Sequence, residues 1–206
     1  MIRSICFDLG GVIVGAFGPK MLERASELFD TDRERIRQAM NHHEGPLERG
    51  EIDHVSFWTR VAEDLGVTLP AGAERLYIDP WLEHAPIDED MLAYVASLRE
   101  RFIIGCISNT QEPHVTLLTE RGVLTHFEPR ILSCEEGVRK PGRAIFERYC
   151  ERAGTRPDEV LFVDDQPENL EAPREIGMHT VLFTGIGTLR ETLSRIEHGR
   201  NPTGHP

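Results

Sequence analysis

After Met1 the chain runs Ile2-Arg3-Ser4-Ile5-Cys6-Phe7-Asp8-Leu9-Gly10-Gly11-Val12. The apolar run ending at Phe7 stops at an acid and a pair of glycines, the pattern of a buried strand breaking into a tight turn. Similar runs recur. Phe102-Ile103-Ile104-Gly105-Cys106-Ile107 ends at Ser108-Asn109-Thr110, Arg130-Ile131-Leu132-Ser133 is short, Val160-Leu161-Phe162-Val163 ends at Asp164-Asp165, and Thr180-Val181-Leu182-Phe183 closes the series. Between them the apolar spacing predicts helices near Met91 to Leu98, Glu112 to Arg121, Arg143 to Ala153 and Glu168 to Ile176, with a last one extending over Glu191 to Arg195. Short, all-apolar strands alternating with helices predict an α/β fold, a doubly wound parallel sheet covered on both faces.

The interval between the first two strands differs. From Pro19 to Trp81 apolar residues keep helical spacing (Met21, Leu22, Ala25, Leu28, Phe29; Ile36, Ala39, Met40; Val55, Phe57, Trp58, Val61, Leu65) and nothing strand-like interrupts them. A small inserted helical unit is expected over residues 17–83, with the α/β core made of residues 1–16 and 84–206. The end, His198 to Pro206, reads as a frayed tail.

Composition narrows the function classes. Lys plus Arg number 23 against 35 Asp plus Glu, a net charge of −12 that opposes binding to nucleic acid or an anionic membrane. No run reaches the roughly 18 apolar residues of a membrane span, and the opening reaches Asp8 too soon for a secretory leader. Cys6, Cys106, Cys134 and Cys150 are widely spaced, as expected of reduced thiols in a cytoplasmic protein. Small molecules are the expected partners; whether the chain is a monomer or a homodimer stays open.

Ligands of open parallel sheets bind at the carboxyl ends of the strands, where Asp8, Ser108-Asn109 and Asp164-Asp165 all fall. Each group alone also reads as a turn or helix cap. Two adjacent acids at a strand end repel, and a cation would hold them together.

Taken in order, Phe7-Asp8-Leu9-Gly10-Gly11-Val12, Ile107-Ser108-Asn109-Thr110, Gly137-Val138-Arg139-Lys140-Pro141 and Phe162-Val163-Asp164-Asp165-Gln166-Pro167-Glu168-Asn169 resemble the four motifs of the haloacid dehalogenase superfamily. The insert after the first motif is similar to the branch with a small helical cap, including its sugar-phosphate phosphatases and the phosphatase domain of soluble epoxide hydrolase. The resemblance implies a Rossmann-like core with an inserted cap. It further implies Mg2+-dependent hydrolysis of a small phosphorylated metabolite, with Asp8 as the nucleophile that forms an aspartyl-phosphate. Asp8, the Gly10 carbonyl and Asp165 would hold the metal, with Asp164 beside them as an orienter or alternative ligand. Ser108 and the Asn109 amide would bind the phosphoryl oxygens, Lys140 would pair with both nucleophile and phosphate, and Asn169 would brace the fourth motif. Without the other motifs, Lys140 would read as a surface lysine and Asn169 as a polar residue at a helix start.

One position departs from the pattern. Family phosphatases usually carry a second Asp two residues after the nucleophile as general acid and base, and here that residue is Gly10. Either the leaving group needs little protonation, as in acyl, aryl or anomeric phosphates, or the cap supplies the proton. The segment Asn41-His42-His43-Glu44-Gly45-Pro46-Leu47-Glu48-Arg49-Gly50 offers His42, His43, Glu44 and Arg49 for that task and for specificity; it also reads as a plain interhelical loop. Phe17, Trp58 and Trp81 are either pocket or core aromatics. Two other outcomes stay open: a metal-independent 2-haloacid dehalogenase, against which Asp164-Asp165 speaks, and a catalytically impaired binding protein, for which Gly10 speaks.

Overall fold

The computed structural model describes residues 1–197, without the side chain of Glu197; the tail expected over His198 to Pro206 lies outside the described residues. Five parallel strands form one sheet: β1 (Ser4–Phe7), β2 (Ile103–Ser108), β3 (Arg130–Leu132), β4 (Val160–Asp164) and β5 (His179–Leu182), in the order β3-β2-β1-β4-β5. The three central strands β2, β1 and β4 are almost entirely buried, as strands covered on both faces require. The chain starts in the middle, builds outward to β3, then returns to the other side of β1. This reversal opens a crevice at the carboxyl ends of β1, β2 and β4.

Helices α1 (Gly18–Leu28), α2 (Arg33–Glu48), α3 (His54–Leu65) and α4 (Asp79–His84) fill the interval between β1 and β2. Asp32 and Asp53 start α2 and α3 by accepting the N–H groups of Arg35 (2.9 Å) and Ser56 (2.6 Å). α2 continues through Pro46, so residues 41–48, which also read as a loop, are helical. Pro46 is in the last turn, where its missing N–H breaks a single bond of the ladder. Met21, Ala25, Ile36, Phe57, Trp58, Val61, Leu76 and Tyr77 form an apolar cluster of their own among these helices. Trp81 of α4 instead packs with the cluster on one face of the sheet, beside Phe7, Leu9 and Val95. The chain leaves and re-enters the sheet side by side: Gly15 N–H donates to Pro86 O at 2.8 Å and Asp88 N–H to Ile13 O at 2.9 Å.

The connections between strands are α5 (Glu89–Ser97), α6 (Glu112–Glu120), α7 (Ser133–Glu136), α8 (Arg143–Ala153) and α9 (Glu171–Glu175), with α10 (Ile186–Glu197) after β5. Beneath the opposite face of the sheet, Ile145, Phe146 and Tyr149 of α8 pack on Cys6, Ile107 and Phe162. The four cysteines are unpaired, and three of them are buried. Among the described residues no helix is long and apolar enough to cross a membrane.

Candidate active site

Strand register brings the motif residues together. β1 lies between β2 and β4 with Phe7 opposite both Cys106 and Val163, and the Asp8 N–H extends that ladder by donating to Val163 O at 2.8 Å. Asp8, Ser108 and Asp164 therefore emerge at one edge. Beyond Asp8 the chain closes a turn in which the Ile13 and Val14 N–H groups both reach Leu9 O at 2.8 Å. Gly11 has φ +70°, and a Cβ there would collide with the Asp165 carboxylate; only glycine lets Asp165 come this close.

Lys140 is 1% exposed and enters between two acids, its Nζ 2.9 Å from Asp8 Oδ1 and 2.6 Å from Asp164 Oδ2. Burial works against its ammonium, yet Asp8 and Asp164 together hold its pKa above the ordinary lysine value. Burial pushes the Asp8 carboxyl up to about 6, against the pull of Lys140. The Asp165 carboxyl is raised too, chiefly by burial.

The three carboxylates are not equivalent. Asp164 Oδ1 accepts the Gln166 N–H (2.8 Å) and Asn169 Nδ2 (3.1 Å), while its Oδ2 accepts Lys140 Nζ and Asn169 Nδ2 (3.1 Å). Both of its oxygens are engaged. Asp8 Oδ1 takes the Leu9 N–H at 2.7 Å and Lys140, but Oδ2 accepts no hydrogen bond from the described residues. Asp165 accepts one bond, from Gln166 Nε2 at 2.6 Å. One oxygen from each of Asp8, Asp164 and Asp165 lies within 4.8 Å of the others, a hard, anionic donor set that suits a small divalent cation. With Asp164 committed, Asp8 and Asp165 are the acids left to ligate.

These groups floor a cavity of about 360 Å³. Asp8, Gly10, Ser108, Asn109, Lys140, Asp165 and Asn169 all reach it, and Phe17, Trp81, Leu118 and His114 wall its outer part. Of the three aromatic candidates, Phe17 and Trp81 line the cavity, whereas Trp58 is fully buried in the helical cluster. The Asn109 side chain brackets the Lys140 backbone, donating to its O at 3.0 Å and accepting its N–H at 2.8 Å. The Ser133 hydroxyl likewise clamps Thr110, accepting its N–H at 2.9 Å and donating to its O at 3.2 Å. Sequence gave no sign of either bracket, because each joins residues more than twenty positions apart.

None of His42, His43, Glu44 and Arg49 lines the cavity. His42 Nδ1 and His43 Nε2 each lie 3.0 Å from Asp64 Oδ2 on α3, and Arg49 Nε pairs with Glu51 at 2.6 Å. Helical phase explains this: Glu44 and Glu48, four residues apart on α2, face Arg139, so His42 and His43 fall on other sides. Burial raises the Glu44 carboxyl, opposed by Arg139. Burial outweighs Arg139 at Glu48 as well and pushes that carboxyl up to about 7. Glu48 Oε2 lies 2.7 Å from Arg139 Nε but out of hydrogen-bond line, so the contact between the helical layer and the Lys140 loop is charge on charge.

A family model described as haloacid dehalogenase-like hydrolase matches residues 2–177. The chain is 28% identical over 193 residues to D-ribitol-5-phosphate phosphatase of Bacteroides thetaiotaomicron, covering 87% of this chain and 91% of that protein. It is 26% identical over 216 residues to bifunctional epoxide hydrolase 2 of Sus scrofa; that match takes in 95% of this chain but spans only 39% of the pig protein's length. Among solved structures, a HAD family enzyme of B. thetaiotaomicron in complex with magnesium and inorganic phosphate superposes with a TM-score of 0.72 at 25% identity, covering 88% of this chain and 93% of that one.

Proposed function

The chain belongs to the haloacid dehalogenase-like hydrolase family, a phosphatase-type hydrolase by its relatives, and from that premise we propose that it is a Mg2+-dependent phosphomonoesterase acting through an aspartyl-phosphate on Asp8. The observation that carries this reading is the Lys140 ammonium, buried between Asp8 and Asp164 at the mouth of β1. A lysine held there keeps the Asp8 carboxylate ionised against its own burial and faces the incoming phosphate with positive charge.

In the first step an Asp8 carboxylate oxygen attacks phosphorus, and the bond from phosphorus to the organic oxygen breaks with its electron pair leaving on that oxygen. In the second, water attacks the same phosphorus, the bond to Asp8 breaks, and the carboxylate is restored. The Ser108 hydroxyl and the amides of Asn109 and the Leu9–Gly11 turn would hold the phosphoryl oxygens. Asp164, fixed by Asn169 and Gln166, would orient Lys140. Asp8, Asp165 and the Gly10 carbonyl would hold Mg2+, which supplies charge neutralisation between the carboxylate and a dianionic substrate.

The alcohol leaves without a carboxylic acid at position 10. The titratable side chains around the cavity are Asp8, Lys140, Asp165 and His114, and the first three are committed to the nucleophile, the phosphate and the cation. This favours small phosphorylated metabolites whose leaving group needs little protonation. In this reading the helical layer of residues 17–83 acts as the cap that closes the cavity, and Phe17 and Trp81 are its aromatic contacts with substrate.

The test is phosphate release from an aryl phosphate and a panel of sugar phosphates, with Mg2+ or with chelator, for wild type beside Asp8→Asn. Turnover that needs Mg2+ and disappears in Asp8→Asn supports the reading. Halide release from 2-haloacids without metal would replace it with the dehalogenase chemistry.

A further inference from the structure

His114 stands on the first turn of α6, lines the same cavity as Asp8 and Asp165 and is 7% exposed. Its Nε2 lies 2.9 Å from the Tyr77 carbonyl oxygen, an atom with no hydrogen to give. Nε2 must therefore carry the proton of a neutral ring, and Nδ1 is left with a bare lone pair. The Gln111 amide nitrogen, 3.4 Å from the same Nε2, carries only hydrogens and so cannot accept that proton; Tyr77 O is its acceptor. Burial lowers the pKa of this histidine to about 4, so the ring stays neutral near pH 7.

The ring cannot easily turn to exchange its nitrogens. Phe17 meets it edge-on with centroids 4.9 Å apart at 88°, Tyr77 at 5.7 Å and 77°, and Trp81 lies 6.3 Å away at 31°. Nδ1 accepts no hydrogen bond from the described residues. His114 lines the polar cavity, and a lone pair fixed in this way on its ring can accept a hydrogen bond and cannot give one.

We propose that His114 is a specificity-determining residue whose Nδ1 accepts a hydrogen bond from a hydroxyl on the organic part of the substrate. The inference rests on the phosphatase reading of the same cavity. It narrows the substrate to phosphomonoesters carrying a hydroxyl donor on a compact organic group. A carboxylate in the same place would set lone pair against lone pair and be rejected, because neither partner holds a proton. The apolar faces of Phe17, Trp81 and Leu118 around the ring suit the C–H surface of a sugar, whose anomeric phosphate also meets the demand for a leaving group that needs little protonation.

Two replacements separate the ring's two roles. Gln at 114 can still reach Tyr77 O with its terminal amide but offers nothing at the position of Nδ1; Asn places an amide oxygen at that position and gives up the Tyr77 bond. The measurement is the calorimetric affinity of an anomeric sugar phosphonate, which cannot be hydrolysed, relative to that of methylphosphonate, in the presence of Mg2+. The expected result is that His114→Gln lowers this ratio about three- to tenfold and His114→Asn restores most of it, the range of one neutral hydrogen bond. An unchanged ratio in His114→Gln, or the same loss in both variants, overturns the proposal. Phosphate release by wild type tests the catalytic reading separately, so either idea can fail without the other.

Discussion

Replacing Lys140 by Met removes the one positive charge that sits between two buried acids. The side chain volume is nearly kept, but Asp8 and Asp164 lose contacts of 2.9 and 2.6 Å, and neither is exposed enough for water to take over. Deleting one partner of a buried ion pair costs about 3–5 kcal/mol. Asp164 keeps Asn169 and the Gln166 N–H, and Asp8 keeps the Leu9 N–H, so the lower end, about 3 kcal/mol, is expected here. The loss should depend on pH. Asp8 already titrates at about 6 with Lys140 present, against 3.8 as its ordinary value, and without the ammonium it rises further. An acid whose folded pKa is raised loses stability as pH climbs from its unfolded to its folded value; wild type shares that loss up to about 6, so the pH-dependent part of the deficit develops only above about pH 6 and is absent at about pH 5. Urea unfolding in chelator, followed by tryptophan fluorescence at about pH 7.5 and about pH 5, measures both numbers. A deficit under about 1 kcal/mol at the higher pH, or one equal at the two pH values, would refute the picture of Lys140 as the counter-charge.

Other consequences are equally direct. A Cβ at Gly10 meets nothing within 4 Å and its φ is not in the left-handed region, so Gly10→Asp can be accommodated; it should raise kcat on alkyl phosphates by about tenfold or more, and an unchanged rate would mean a proton donor is already in place. Glu48, with an ordinary value of 4.5 raised to about 7, should make wild type lose up to roughly 3 kcal/mol relative to Glu48→Gln as pH rises from about 4.5 to about 7. Parallel stability curves for the two proteins would contradict that burial effect. His42→Ala and His43→Ala should leave kcat/KM within about twofold of wild type, since both rings are tied to Asp64 outside the cavity; a loss beyond about tenfold would restore them to the site.

What could be read from residues alone followed local rules. The five strands and the sites at their ends were legible because each all-apolar run stops at polar residues, and a parallel sheet has to deliver those stops to one edge. Asp8, Ser108, Asp164 and Asp165 are legible as a set for the same reason, whereas Lys140 stands at no strand end and is legible only through the resemblance of the four motifs. The helical layer was harder. His42 and His43 drew attention by their chemistry, but the helix runs through Pro46, and its phase turns Glu44 and Glu48 toward Arg139 instead. The motif offers the Asn109 backbone amide to the phosphate, while its side chain brackets the backbone of a residue 31 positions away. His114 was missed because nothing nearby in sequence announces the Tyr77 carbonyl that fixes its tautomer. Its place, six residues after Ser108 on the helix leaving that strand, was the one available signal.

The phosphatase chemistry proposed for this site requires that Asp8 become phosphorylated. Acid-quenching the enzyme within a single turnover of an aryl phosphate in Mg2+, then locating the modification by peptide mass spectrometry, tests it most directly. One phosphoryl group is expected on the peptide containing Asp8, lost when Lys140 is replaced by Met and absent in chelator. Steady phosphate release with that peptide unmodified throughout the turnover, or a phosphoryl group on another residue, would contradict it.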